Sequence, residues 1–355
     1  RKFIKKLGLV SAGALVAGLN SSKSLAAKKV KWKMVTSWPK NFPGLGAGAE
    51  TLARYINELS DGSLKVQVFG ANELVPPLGV FDYVSSGGAE MGHSGAYYWK
   101  GKTEAAQFFS SVPFGMTAQE MNSWLYYGDG LSLWEEVYKD FNLVPRPAGN
   151  TGVQMGGWFN KEINSTDDLK GLKMRIPGLG GEVLARAGGT PFTLAGAEIF
   201  TSLQTGVIDA TEWVGPYNDR AFGLHKAAKY YYYPGWHEPG PSLECIINKD
   251  AYSRLSEQQQ AIIDIACKAA NIDMISDYMS KNYQALEYFK KEKVEIKKFP
   301  NEVIEKLHKI SDEVLIDLSQ KNILAKKVYD SYINFLNRVR PWTLISEDGY
   351  LNSIK

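Results

Sequence analysis

The sequence predicts an α/β protein with parallel-rich sheets in two lobes, followed by long C-terminal helices. Its 355 residues can bury a large core, and a chain of this length suits two lobes better than one. Strand-like and helical segments alternate through the first two thirds of the chain, as they do in parallel α/β sheets. The last third is largely helical, from 249 to 293 and again from 302 to 340.

The first strand–helix–strand unit lies near the start of the chain. The segments KVKWKMVTSW (29–38) and SLKVQVFG (63–70) alternate in polarity, and the helix between them places Leu52, Ile56 and Leu59 on one face. The same order is predicted again in four consecutive segments. These are a strand in LKMRIPG (172–178), a helix in GEVLARAG (181–188), a strand in TPFTLAG (190–196) and a helix in AEIFTSLQTG (197–206).

The final helix has an apolar stripe. The segment AKKVYDSYINFLNRVRPW (325–342) places Val328, Tyr332, Phe335 and Leu336 on one face. A stripe at the end of a chain either packs back onto the body or docks on a partner. The pattern leaves both possibilities open.

The first 26 residues are typical of an export signal. Five basic residues and no acidic ones fall there, and an uncharged segment too short to span a bilayer follows RKFIKK. Small residues at 24 and 26 place cleavage after Ala26. A short membrane anchor or a buried helix is the alternative. RKFIK also resembles half of a twin-arginine signal, so Sec and twin-arginine export both stay open.

Charge and cysteine content exclude other classes of protein. Without residues 1–26 the formal charge falls from +3 to −2, which does not suit nucleic-acid binding. Cys245 and Cys267 are too few for a disulfide scaffold and lack zinc-site spacing. A single bridge is possible after export, but a pair of buried thiols is the favoured interpretation.

No catalytic template is present. The chain lacks GxSxG, a P-loop and HExxH, and none of its four histidines is predicted to be the base of a catalytic triad. Binding features are stronger. Arg175 lies between apolar residues at the end of a predicted buried strand, so it needs a partner, either a ligand carboxylate or an internal salt bridge.

Three further segments carry candidate ligand atoms. GNTGVQMGGWF (149–159) combines glycines with the amides of Asn150 and Gln154, which could coordinate a hard cation or form a polar turn. YYYYPGWHEPGP (230–241) places Glu238 among aromatic residues. DATEWVGP (209–216) places Glu212 beside Trp213, either at a surface edge or at the wall of a pocket.

Six motifs in order resemble the solute-binding proteins of tripartite ATP-independent periplasmic (TRAP) transporters. They are TSWPKNFPGLGAGAE, VPFGMTAQE, GNTGVQMGGWF, DLKGLKMRIPGLGGEVL, LQTGVIDATEWVGPYND and YYYYPGWHEPG. The resemblance covers essentially the whole chain from about Trp38. It is greatest to the subgroup that binds small 2-oxo and 2-hydroxy monocarboxylates with a metal ion. It implies a two-lobe periplasmic binding protein-like fold with a hinge cleft.

The resemblance also implies roles for individual residues. Arg175 matches the arginine that grips the substrate carboxylate, and Gln154 matches a side chain that contacts metal and ligand. Glu212 and Trp213 match metal-site residues, the tryptophan through its backbone carbonyl. Glu238 matches a further acidic residue, and both it and Trp213 are expected to face the substrate as well.

Asn150 and Tyr98 are expected substrate contacts on the same basis. The bound cation is expected to be Na⁺ or Ca²⁺, since both occur in similar proteins. Dimerisation through the C-terminal helix occurs in this subgroup and is a hypothesis for this chain.

The expected division of the chain follows the two-lobe fold. Residues 27–152 with part of about 240–280 form lobe I, and 153–239 with part of about 281–320 form lobe II. Residues 321–355 form the C-terminal helical segment, which could support a homodimer.

The predicted function is capture of a small monocarboxylate, such as pyruvate or lactate, in the periplasm for delivery to TRAP permease subunits. The alternative is an exported metal-dependent enzyme acting on the same acids, with Glu212 or Glu238 as general base. A structural scaffold would not explain Arg175 or the glycine- and amide-rich loop.

Overall fold

The structure of the protein is a computed structural model that describes residues 29–354. The predicted signal peptide, residues 1–26, lies outside the described residues. Eleven strands, twelve α-helices and several short helical turns are present in the described part of the chain.

The strands are β1 Val30–Thr36, β2 Leu64–Phe69, β3 Met91–Ser94, β4 Leu143–Asn150, β5 Gly157–Phe159, β6 Lys173–Arg175, β7 Thr190–Phe192, β8 Ala210–Thr211, β9 Tyr230–Tyr233, β10 Ser242–Asn248 and β11 Glu295–Lys298. The helices are α1 Leu45–Leu59, α2 Val80–Ser85, α3 Ala118–Tyr127, α4 Gly130–Tyr138, α5 Gly178–Arg186, α6 Gly196–Gln204, α7 Pro216–Phe222, α8 Lys249–Ser253, α9 Glu257–Lys291, α10 Asn301–Ser319, α11 Ile323–Thr343 and α12 Gly349–Ser353. Among the short turns, the 3₁₀ segment Ala96–Trp99 follows β3, and a π-helical turn Leu344–Asp348 joins α11 to α12.

Two mixed sheets organise the fold. The first has the order β2-β1-β3-β10-β4, and the second has the order β11-β9-β5-β8-β6-β7. Most neighbouring strands are parallel, but β10 runs against β3 and β4, and β5 runs against β8 and β9. Strand β5 is the first strand after the chain crosses from the first sheet to the second, and β10 is the first after it crosses back. Polarity patterns predict strands but not their direction, so this detail was not visible in the sequence.

The predicted strand and helix segments are confirmed. The unit β1-α1-β2 has parallel strands in register from Val30–Leu64 to Val35–Phe69. The run β6-α5-β7-α6 matches the second predicted unit, with β6 and β7 parallel. The α/β two-sheet architecture is therefore as the sequence predicts.

Helix α9 crosses both sheets. Its first half buries Ile263 and Cys267 in the core of the first sheet, and its second half buries Phe289 against the second. A reciprocal cap fixes its start: Ser256 Oγ accepts from Gln259 N at 3.2 Å, and Gln259 Oε1 accepts from Ser256 N at 3.2 Å. This helix is thus a shared support under the junction of the sheets.

Cys245 on β10 and Cys267 on α9 are both buried and unbridged in the structure. Burial raises the pKa of the Cys245 thiol well above its ordinary value, and the neighbouring Cys267 adds to the effect. The structure therefore agrees with the favoured interpretation of two buried thiols.

Helix α11 packs back onto the first half of the chain. Val328 and Tyr332 are buried, and Tyr332 Oη accepts from Met116 N at 2.8 Å. Arg340 Nε donates to the buried carboxylate of Glu120 at 2.8 Å. The described residues contain no helix that is both long and apolar enough to cross a membrane.

A buried carboxyl group lies under the first sheet. Glu244 on β10 is fully buried; it accepts from the indole N–H of Trp99 and from Tyr138 Oη, the latter at 2.8 Å. Burial raises the pKa of Glu244 to about 7, and the two hydrogen bonds act in the opposite direction. Trp99 ends the 3₁₀ turn that carries Tyr98, so this carboxyl supports a candidate site residue.

We expect Glu244→Gln to remove a pH-dependent loss of stability. The ordinary pKa of this carboxyl is 4.5, and its folded value is about 7. Between these two pH values Glu244 keeps its proton in the folded protein and loses it in the unfolded chain, so wild-type stability falls as pH rises. Chemical unfolding at pH 5 and pH 8 should show a smaller fall for the variant than for wild type. Glu313→Gln, at an exposed position, is the control. An unchanged pH dependence in Glu244→Gln would contradict the assignment.

Candidate functional site

The centre of the candidate site is a buried ion pair between neighbouring strand ends. Arg175 ends β6 and Glu212 follows β8, which pairs with β6 in parallel. Glu212 N donates to Arg175 O at 3.1 Å, and Arg175 Nη1 donates to Glu212 O at 3.1 Å and to one oxygen of its carboxylate. Both side chains are 1% exposed, so neither charge is solvated by bulk water.

Gln154 joins this pair from the loop after β4. Its backbone N–H donates to Glu238 O at 3.2 Å, and its backbone carbonyl accepts from Gly235 N at 3.0 Å. A Cβ at Gly235 would lie 2.3 Å from the Gln154 carbonyl oxygen, so only glycine allows this approach. The next residue, Met155, donates through its N–H to Val214 O at 3.0 Å. Backbone hydrogen bonds therefore tie together the three predicted ligand segments.

A buried aspartate holds the segment that carries Glu212 and Trp213. Asp219 lies in the first turn of α7 and accepts from Val214 N at 3.2 Å, Trp158 Nε1 at 3.0 Å and Tyr231 Oη at 2.7 Å. Burial raises the pKa of Asp219 to about 7, while these hydrogen bonds lower it. Asp219 therefore positions this segment, because both of its carboxylate oxygens accept hydrogen bonds from a backbone N–H or from aromatic side chains.

Aromatic side chains from both sheets close over the arginine. Tyr98 Oη accepts from Arg175 Nη2 at 3.3 Å, and the guanidinium carbon lies 5.1 Å from the centre of the Trp213 ring. The Trp38 ring lies 6.2 Å from that of Tyr98 and 6.3 Å from that of Trp213. The three rings exclude water from the buried charges, which strengthens electrostatic interactions there.

Acidic and imidazole groups cluster beside the ion pair. One ligand atom from each of Glu212, His237 and Glu238 lies within 4.8 Å of the others, and all three residues are buried. Glu212 Oε2, Gln154 Oε1 and both ring nitrogens of His237 have no hydrogen-bond partner among residues 29–354. Buried acceptors without partners are costly, and oxygen atoms arranged in this way suit a hard cation. The residues present therefore fit a bound metal ion.

The charges of the cluster also favour a bound cation. Burial raises the pKa of Glu238 well above its ordinary value, and repulsion from Glu212 raises it further, while Arg175 and Gln154 act against the shift. Burial lowers the pKa of Arg175, but the combined attraction of Glu212, Tyr98, Tyr97 and Glu238 outweighs it, so the pKa is raised. With one guanidinium between them, both carboxyl groups would be ionised together only if a further positive charge, such as a bound cation, joined the cluster.

The structure brings six of the seven predicted site residues to one place. Arg175, Glu212, Trp213, Glu238, Gln154 and Tyr98 form a contiguous group. Asn150 stands slightly apart: its Nδ2 donates to Gly240 O at 3.1 Å and its Oδ1 accepts from Gly152 N at 2.8 Å. It holds the loop that presents Gln154, and a direct contact with substrate stays a prediction.

His237 is the site residue that the sequence analysis did not identify. A histidine next to a glutamate has no distinctive spacing and matches no triad or metal-site motif. The available signal was its place in WHEPG, directly before a predicted ligand carboxylate.

The chain matches the family of bacterial extracellular solute-binding proteins, family 7, over residues 34–322. A monocarboxylate 2-oxoacid-binding periplasmic protein of Nostoc sp. is 44% identical over 332 residues, which cover 94% of this chain and 91% of the relative.

Two solved structures share the fold over nearly the whole chain. A TRAP periplasmic solute-binding protein of Pseudoalteromonas atlantica, with bound sodium and pyruvate, is 43% identical with a TM-score of 0.90, covering 92% of this chain and 100% of that one. A TRAP transporter solute-binding protein of Bordetella bronchiseptica is 37% identical with a TM-score of 0.90, covering 92% of this chain and 97% of that one. The latter is a mixed occupancy dimer with copurified calcium and picolinate in one site and an apo site in the other.

We expect Glu238→Gln to stabilise the cation-free protein. The substitution removes a buried carboxyl whose ionisation is opposed by burial and by Glu212, and relief of such a charge is worth about 1–3 kcal/mol. Thermal unfolding in the presence of a chelator at pH 8 should show a higher midpoint than wild type. The midpoint should then gain less than that of wild type when Ca²⁺ is added, because a charged carboxylate ligand has been replaced by a neutral amide.

The exposed Glu313→Gln variant is the matched control. A lower midpoint for Glu238→Gln in chelator would show that the carboxyl is satisfied without a cation. It would contradict the conclusion that these residues form a cation site.

Proposed function

We propose, from the premise that the chain belongs to the bacterial extracellular solute-binding proteins of family 7, that it captures a small 2-oxo monocarboxylate together with a cation and delivers it to a TRAP permease. The observation that carries the proposal is the buried group of Arg175, Glu212 and Glu238, with acceptor atoms that have no partner among the described residues. Pyruvate is the acid of choice because it is bound in the Pseudoalteromonas structure.

The chemistry of the acid fits the charges of the site. A 2-oxo acid offers a carboxylate oxygen and the adjacent keto oxygen, which can chelate one cation. Without the cation, Glu212 and Glu238 would repel the acid, since like charges interact strongly where water is excluded. With a cation held by Glu212, Glu238, Gln154 and the Trp213 carbonyl, the site accepts an anion and Arg175 binds the second carboxylate oxygen.

The cation is proposed to be Na⁺ or Ca²⁺. Both are hard ions that prefer oxygen ligands, and the carboxylates and amide of the site supply oxygen. The relatives described above contain either ion. The ion would supply positive charge and orient the two acid oxygens; the chain's own residues fix its position and close the site.

Closure of the site involves residues from both sheets. Asn218 Nδ2 donates to Pro43 O at 2.7 Å, and its Oδ1 accepts from Tyr278 Oη on α9 at 2.6 Å. Tyr98, from the first-sheet side, contacts Arg175 of the second sheet. We infer that the two sheets belong to lobes that close around the acid, with lobe boundaries near 152 and 239 as the sequence predicts.

The compartment and the partner follow from the family. The protein is extracytoplasmic, as its family is. We place it in the periplasm because the Nostoc relative is a periplasmic protein by name. The closed form would be recognised by the permease subunits, because only ligand-bound molecules carry cargo. The exported-enzyme alternative is not supported, since the similar proteins described above are solute-binding proteins.

We expect substitutions of Arg175 and Glu212 to separate acid binding from cation binding. Arg175→Met should weaken pyruvate binding by at least about 100-fold, because a desolvated charge pair is lost. It should leave a thermal shift with Ca²⁺ alone. Glu212→Ala, with Glu212→Gln as the milder variant, should lose both the Ca²⁺ shift and pyruvate binding. Calorimetry and thermal unfolding measure the two effects.

The matched control is Arg186→Met, which removes an arginine whose side chain is 40% exposed and pairs with Asp317 on the surface. Pyruvate binding of wild-type strength in Glu212→Gln without added cation would contradict the proposal. We expect pyruvate to be recovered chemically unchanged after incubation with wild type and with each variant.

A homodimer through the C-terminal segment is a second part of the proposal. From the last turn of α11 onward the chain exposes large apolar side chains, including Trp342 at 67% and Ile345 at 74%, with Tyr350 and Leu351 beyond them. The stripe of α11 itself is used against the body, so the apolar surface available for a partner lies in the last residues. The Bordetella relative is a dimer.

We expect the double variant Trp342→Ser with Ile345→Ser to be monomeric and wild type to be dimeric at micromolar concentration. Light scattering after size exclusion measures the mass of each. The substitutions touch exposed positions, so pyruvate binding should be unaffected. Elution of wild type as a monomer would contradict the dimer and leave the ligand proposal intact.

A further inference from the structure

We propose that His237 supplies a nitrogen ligand to the cation site, so that the site also binds divalent ions that favour imidazole, such as Mn²⁺, Co²⁺ and Zn²⁺. This inference rests on the proposed function, because it concerns the same cation and the same 2-oxo acid. It adds one ligand and a different class of ion to the oxygen ligands described above.

The first observation is an unsatisfied side chain. His237 is 2% exposed, and neither ring nitrogen has a hydrogen-bond partner among residues 29–354. A buried polar atom without a partner is costly, so such atoms in a folded protein call for an explanation. A neutral imidazole has one nitrogen that can donate and one that can accept a proton or bind a metal. The bound ion would be the missing partner of the accepting nitrogen.

The second observation is the distance between candidate ligand atoms. His237 Nε2 lies 3.5 Å from Glu212 Oε2, which is long for a hydrogen bond. Two ligands of one Zn²⁺-sized ion, each about 2.1 Å from it, are separated by roughly 3 to 3.5 Å. With Glu238 the three ligand atoms lie within 4.8 Å of one another. The spacing therefore fits shared coordination better than direct pairing.

The third observation is that His237 is held in place by the segment that holds Glu238. Glu238 N donates to Gly235 O at 3.2 Å, and Glu238 O accepts from Gln154 N. A Cβ at Gly180, in the first turn of α5, would lie 3.0 Å from His237 Cβ, so this helix packs closely against the histidine. The imidazole is thus fixed beside the acidic cluster before any ion binds, which lowers the cost of binding.

The other three histidines have different surroundings. His93 accepts from Trp38 Nε1 at 2.9 Å and is a satisfied core residue. His308 stacks on Phe114, and His225 packs against Tyr288 and Phe289. In the described part of the chain, only His237 belongs to a cluster of three or more groups that could hold a metal.

The nitrogen ligand changes which ions the site accepts. Carboxylate and amide oxygens favour hard ions such as Na⁺ and Ca²⁺, whereas imidazole favours Zn²⁺ and its neighbours in the first transition row. A site with two carboxylates, an amide oxygen, the Trp213 carbonyl and one imidazole can hold either class, because each ion can use the donors that suit its coordination number. The same acid chelate would complete the coordination in both cases.

The test is calorimetric titration of the metal-stripped full chain with Ca²⁺ and with Zn²⁺, each in the presence of pyruvate, for wild type and His237→Asn. Wild type should bind Zn²⁺ at least about tenfold more tightly than Ca²⁺. His237→Asn should lose about 10- to 100-fold in Zn²⁺ affinity and keep its Ca²⁺ affinity within about threefold. His308→Asn is the matched control for adventitious binding, and His237→Gln replaces the first variant if that one does not fold.

A spectroscopic measurement reports the ligand directly. Paramagnetic resonance of the Cu²⁺-loaded wild type should show nitrogen splitting that His237→Asn lacks and His308→Asn retains. Equal losses of Ca²⁺ and Zn²⁺ affinity in His237→Asn would overturn the inference and assign the histidine to the acid or to positioning Glu238. Failure of Zn²⁺ to bind while Ca²⁺ still supports pyruvate binding would overturn the inference alone. Failure of every cation to support pyruvate binding would overturn the proposed function as well.

Discussion

The structure depends on one electrostatic constraint: Glu212, Glu238 and Arg175 are buried together where water cannot solvate them. One positive charge faces two carboxyl groups, and the pKa of Glu238 is raised first by its burial and then by repulsion from Glu212. Buried charges are tolerated only when they are paired or bound to metal. A protein that keeps such a cluster is adapted to bind a cation, and through the cation an anion. The stability that the cluster costs is recovered when the ligands bind.

The fold meets this constraint by bringing distant segments to one point. Parallel pairing of β6 with β8 sets Arg175 beside Glu212, although 37 positions separate them in the chain. Gln154 and Glu238 come from the two direct crossings between the sheets, and a backbone hydrogen bond joins them. Because the site lies at these crossings, movement of one sheet relative to the other would open or close it. Aromatic residues from both sides then determine how dry the closed site is.

Much of this arrangement could be predicted from the sequence. The α/β architecture followed from alternating segments, and the ligand segments were recognised from long motifs in a fixed order. Arg175 could be singled out because a charge within a buried strand must have a partner. The antiparallel direction of β5 and β10 could not be predicted, since polarity alternates in the same way in either direction. Which partner Arg175 has, and the anchoring role of Asn150, depend on contacts between residues far apart in the chain. His237 was missed because its significance lies in two unsatisfied nitrogens, which only the packed structure reveals.

If the cation makes an acidic pocket accept an anion, the affinities for the two ligands must be thermodynamically linked. Pyruvate affinity should be measured by calorimetry over a series of Ca²⁺ concentrations, and Ca²⁺ affinity over a series of pyruvate concentrations. Each ligand should tighten the binding of the other by the same factor, about 10- to 100-fold or more, with negligible pyruvate binding in chelator. Pyruvate affinity that is the same in chelator and in saturating Ca²⁺ or Na⁺ would contradict it.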